Sequence, residues 1–169
     1  EKGIRHRIEH AQMIHPKDIV RFRDLGVIGS YQPSHIVADR YMADREWGAR
    51  ADRAFPLKRL SDCGVRLAFG SDAPVETPDP IFGINCAVNR LLPGEPESKS
   101  WYPSERLTVD QAVASYTRDA AYAAGREKTF GDLGPGKLAD FVVLSKDLYD
   151  VAPLDIPSCE VEADRKSVV

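Results

Sequence analysis

Short β-prone runs alternate with helical segments along the first part of the chain, and this alternation restricts the fold more than any other feature. The run IRHRIEHA at residues 4–11 changes polarity with roughly period two and reads as a strand. Residues 27–31 and 65–69 are shorter apolar runs of the same kind. Between the first two, Pro16 opens a helix where a missing N–H costs nothing. Ile19, Val20, Phe22 and Leu25 fall on one side of it, and Gly26 can end it. Between the second and third, residues 39–53 are polar and predict a long loop carrying some helix. An amphipathic helix over 54–63 then turns Leu57 and Leu60 inward and stops at Gly64. Such an alternation implies a parallel sheet, open or closed into a barrel. Further helices are predicted over 81–92 and from the Thr108–Gln111 capping box to Gly125. The turn cluster GDLGPGK at 131–137 and the apolar run at 140–144 mark a change to a small β element.

Composition narrows the partners. The 169 residues are 43% hydrophobic and 29% charged, with a net charge of −3, which favours neither a nucleic-acid nor an anionic-membrane partner. No apolar run approaches the length of a membrane span. Cys63, Cys86 and Cys159 form no C-x-x-C pair and read as buried or half-buried thiols of a reducing, cytoplasmic setting. The chain opens at Glu1, without Met, directly before a strand-like run, which reads as a fragment or a processed start.

In parallel β/α folds the C-terminal strand ends line the active site. His10 ends the first strand and Asp72 directly follows the third. A neutral imidazole nitrogen and an anionic carboxylate oxygen both suit a divalent ion such as zinc. The same residues also fit a hydrogen-bonded core histidine and a helix N-cap. His35, in the run QPSH after the second strand, belongs on the same rim, where it could ligate metal, bind substrate or cap a loop. His6, four residues before His10, shares its face but sits deeper and reads as structural. His15 reads as a surface or capping residue, and Glu9 as a structural partner for Arg5, Arg7 or a following helix.

The runs RHRIEHAQ at 5–12, QPSH at 32–35 and FGSDAPV at 69–75, in that order, closely resemble amidohydrolase family 3 of the amidohydrolase superfamily. ERLT at 105–108, leading into AAYA at 120–123, is similar to that family's last barrel helix. GDLGPGKLAD at 131–140 is similar to the return into its small β-sandwich, and the resemblance covers residues 1 to about 157. It implies an α/β fold: strands six to eight of a (β/α)8 TIM barrel over residues 1–128, then a β-sandwich segment over 129–169. It implies that His10 and Asp72 are metal ligands, that Asp72 also takes the proton, and that His35 faces the substrate. The cofactor implied is a divalent metal, zinc, as one or two ions in the intact enzyme. The partners implied are a small amide-type substrate, the upstream part of the same barrel, and a second subunit in a homo-oligomer. The family's His-x-His after strand one, its strand-four bridging ligand and its strand-five histidine have no counterpart here. The tail VEADRKSVV at 161–169 matches the family's closing strand only loosely.

The chemistry implied is hydrolysis of an amide or other C–N bond, with this chain supplying part of the site and inactive alone. Two readings compete with it. One is a non-catalytic structural or interaction fragment with no bound metal. The other is an α/β enzyme using Gly70-Ser71-Asp72 as a phosphate loop, although no G-x-G-x-x-G or Walker sequence is present.

Overall fold

The structure is a computed structural model and describes residues 3–166. Three parallel strands form one sheet in the order β1 (Arg7–Glu9), β2 (Ile28–Tyr31), β3 (Leu67–Phe69). The register pairs Glu9 with Ser30 and Tyr31 with Phe69, so the three C-terminal ends are nearly level. Helix α1 (Pro16–Asp24) links β1 to β2 and buries Ile19 and Phe22. His15 caps it by accepting the Lys17 N–H, and Gly26 follows it at φ +63°. Helix α3 (Leu57–Asp62) precedes β3, and its Leu57 and Leu60 are fully buried.

The sheet is shorter than the sequence predicts. The strand expected over 4–11 is confined to Arg7–Glu9, because His10 and Ala11 turn to φ 63° and 37°, outside the β region. The stretch 39–53, expected as a long loop carrying some helix, is helical throughout: helix α2 (Ser34–Trp47) is followed by a 3-10 segment, Gly48–Arg53. The buried face of α2 carries Ser34, Ile36, Val37, Arg40 and Ala43, and the polar members mask the apolar period. Arg40 can be buried because Glu95 pairs with it, the Nη1 and Oε2 atoms being 2.8 Å apart. That guanidinium holds the Glu95 carboxyl down at about 2.

Helix α4 (Pro80–Asn89) follows β3 and is capped by Asp79. The capping box at Thr108 and Gln111 is present, but the helix expected to reach Gly125 is broken at Thr117 into α5 (Val109–Tyr116) and α6 (Arg118–Ala123). The Thr117 hydroxyl donates to the Val113 carbonyl at 2.7 Å as the backbone leaves helical angles. Strands β4 (Phe141–Leu144) and β5 (Val161–Arg165) pair antiparallel as a two-stranded element. Residues 167–169 of the expected closing strand lie outside the described residues. Leu148, Ile156 and Cys159 join the same core as the sheet and helices, and Asn89 donates to the Pro153 carbonyl at 2.6 Å. Cys86 and Cys159 are buried and Cys63 half-buried, all as free thiols. Among the described residues no helix is long and apolar enough to cross a membrane.

Glu105 caps α3 from 46 and 47 residues away: its Oε2 accepts the Lys58 and Arg59 backbone N–H groups at 3.1 and 3.2 Å, and Arg59 also pairs with it. The residue is 3% exposed, so loss of the carboxylate strands two helix N–H groups, while Arg59 keeps its bond to the Asp52 carbonyl. Glu105→Ala is expected to lower stability by about 3 kcal/mol in urea unfolding. A change below about 0.5 kcal/mol would place the α3 cap elsewhere.

Candidate active site

The parallel strands deliver three side chains to one rim. His10 follows the last residue of β1, His35 lies four residues after β2, and Asp72 three residues after β3. The His10 and His35 rings are 5.7 Å apart between centroids, and His35 Nε2 is 4.0 Å from Asp72 Oδ2. These are the three residues singled out from the sequence, and the fold brings them together.

The backbone presents them in unusual conformations. His10, Ala11 and Asp72, at φ 63°, 37° and 59°, belong to a small set of non-glycine residues with positive φ. Each such residue costs on the order of 1–3 kcal/mol unless its surroundings hold it. The turn at His10 is held twice: Ala11 N–H donates to the Glu9 carbonyl at 2.7 Å, and the Tyr31 hydroxyl donates to the Ala11 carbonyl at 3.1 Å. Tyr31 is fully buried, and burial pushes its phenol above the ordinary range, so it stays a donor. At Asp72 the backbone carbonyl accepts the Val75 N–H at 2.9 Å, closing a turn that leaves the carboxylate 40% exposed.

The environments separate the competing assignments. His10 is exposed and lies outside the buried core of the described residues. Asp72 is not a helix cap, because α4 begins at Pro80 and Asp79 caps it. That distance also removes the helix N-terminus a phosphate loop at Gly70-Ser71-Asp72 would need. His35, expected in a loop past Pro33, is instead the second residue of α2, and its side chain is only 13% exposed. Its Nε2 is buried with no hydrogen-bond partner. An orphaned acceptor or donor of this kind calls for a ligand, an ion or water. Arg7 pairs with Glu9, the structural role expected of that carboxylate.

Imidazole nitrogen and carboxylate oxygen are a suitable donor set for zinc. Among the described residues, however, no group of three or more His, Cys, Asp or Glu side chains is arranged to hold a metal. His10 and Asp72 are two donors of the kinds zinc accepts, and no third side chain of the described residues completes a set with them.

Sequence reasoning missed Asp39 and gave Gln12 no role. The Gln12 side-chain N–H donates to Asp39 Oδ2 at 2.7 Å, and the same oxygen is 3.9 Å from His35 Nδ1. The signal was the four-residue spacing from His35 to Asp39, which has meaning only on a helix.

Residues 1–163 match the amidohydrolase family. The chain is 36% identical over 158 residues to Protein LONG AFTER FAR-RED 3 of Arabidopsis thaliana, covering 92% of this chain and 27% of that protein. It is 30% identical to the N-substituted formamide deformylase of Arthrobacter pascens, covering 92% and 28%. Among solved structures, an uncharacterized metal-dependent hydrolase from Pyrococcus horikoshii superposes with a TM-score of 0.76 at 28% identity, covering 87% of this chain and 30% of that one. The chain thus spans less than a third of the length of each of these proteins.

Proposed function

The chain belongs to the amidohydrolase family, and from that premise we propose that it forms part of a hydrolase that cleaves an amide or other carbon–nitrogen bond with a divalent ion, zinc, as cofactor. The observation that carries the reading is the convergence of His10, His35 and Asp72 at the level ends of adjacent parallel strands. We assign residues 1–128 to strands six to eight of a (β/α)8 barrel and residues 129–169 to a small β-sandwich. Among the described residues β1 is an edge strand paired on one side only, and its Ile8 is 46% exposed, which supports a sector of a larger barrel.

His10 and Asp72 would hold the ion. When bound, such an ion lowers the pKa of an adjacent water from 15.7 toward roughly 7 and polarises a carbonyl. Asp72 accepts the proton of the attacking water and passes it to the leaving nitrogen, which departs as an amine. Its partial exposure keeps the carboxylate in reach of both. His35, through its buried and unpaired Nε2, orients the substrate by accepting a hydrogen bond from its N–H or from a neighbouring donor.

The name of the deformylase relative suggests the first substrate to try. A full-length protein containing these residues, loaded with zinc, is expected to release formate and amine from an N-substituted formamide or to hydrolyse a related amide. Absence of hydrolysis across a panel of formamides and amides would overturn the reading. Within that enzyme, His35→Ala is expected to lower kcat/KM by about 1–4 kcal/mol with metal content unchanged. A parallel loss of metal would make His35 a ligand.

A further inference from the structure

We propose that Asp39 is a positioning residue that locks the His10 turn and the His35 ring together; this rests on the hydrolase reading above. Asp39 lies four residues after His35 on α2, so both side chains share one helical face. Its Oδ2 accepts the Gln12 side-chain N–H at 2.7 Å and faces His35 Nδ1 at 3.9 Å. Gln12 directly follows the left-handed pair His10 and Ala11. One carboxylate oxygen therefore joins the end of β1 to the first turns of α2, the two segments whose imidazoles lie 5.7 Å apart.

The other face of the His35 ring shows what this linkage secures. Nε2 is buried, has no hydrogen-bond partner, and lies 4.0 Å from Asp72 Oδ2. The χ2 torsion of a histidine is broad and roughly two-fold, so the backbone alone does not choose which nitrogen enters the site. A carboxylate beside Nδ1 favours the Nδ1–H tautomer and one ring orientation, which points the Nε2 lone pair inward. Asp39 thus acts through His35 and through the Gln12 tether, without touching substrate. A carboxylate that merely stabilised α2 would have no dependence on His35.

The test is a double-mutant cycle in the full-length protein, with formate release from an N-substituted formamide, metal content and unfolding midpoint measured together. Asp39→Ala is expected to lower kcat/KM about tenfold with metal retained, and the Asp39→Ala/His35→Ala pair to be no worse than His35→Ala within about twofold. Losses that multiply, or an unaffected Asp39→Ala, would overturn the proposal. If Asp39→Ala does not fold, Asp39→Asn runs the same cycle, since its amide oxygen still accepts from Gln12 while the charge facing His35 is gone. A readout independent of turnover is the ring ¹⁵N spectrum of His35, assigned by its loss in His35→Ala. It should report one fixed tautomer in the wild type and averaged values in Asp39→Ala, and unmoved signals would overturn the proposal. The wild-type assay separates the two levels: no hydrolysis across the panel of formamides and amides removes the hydrolase reading and this inference together. An inactive Asp72→Asn beside multiplying Asp39 and His35 losses removes the positioning role alone.

Discussion

Asp72→Asn, in a full-length enzyme containing this chain, is expected to lower turnover by about 10²–10⁴-fold, the range for losing a general base. The fold should survive. Asp72 sits at φ 59°, and asparagine tolerates that left-handed region as well as aspartate does. The turn depends on the Asp72 backbone carbonyl, which still accepts from Val75. The side chain is 40% exposed, so a near-isosteric amide creates no cavity. What changes is basicity, because an amide oxygen does not take a proton from water near neutral pH. A rate within about tenfold of wild type, ~1.4 kcal/mol in barrier, would remove Asp72 from the role of base.

His10→Ala should act first on the metal. Removing partners that only orient a ligand already weakens metal binding by about 10–100-fold, so loss of a direct ligand should cost at least the upper end of that range. Metal analysis after dialysis, and competition with a chelator, would report it, and activity should fall in step. Alanine is also a poor residue at φ 63°, so lost metal could come from a rearranged turn. His10→Asn answers this: it tolerates the left-handed conformation yet removes the imidazole. Unchanged metal stoichiometry in both variants would return His10 to a structural role.

The sequence by itself determined the strand–helix rhythm, the parallel sheet, the capped starts of α1 and α5, and the three rim residues. These are local signals: proline and glycine restrict φ, a capping box closes within four residues, and apolar spacing identifies a buried face. The family resemblance of the runs containing His10, His35 and Asp72 added their suggested roles, which the placement of the side chains supports. Only the tertiary structure decided what lies between those runs. Helix α2 was illegible because its buried face carries Arg40, whose cost is offset by Glu95, 55 residues further along. With His35 expected in a loop past Pro33, the spacing from His35 to Asp39 has no geometric meaning in the sequence. The early end of β1 was equally hidden. Nothing local to His10 and Ala11 demands positive φ, and the turn persists because Tyr31 on the neighbouring strand donates to the Ala11 carbonyl. Where a conformation is held by a partner distant in sequence, the pairing exists only once the strands are side by side.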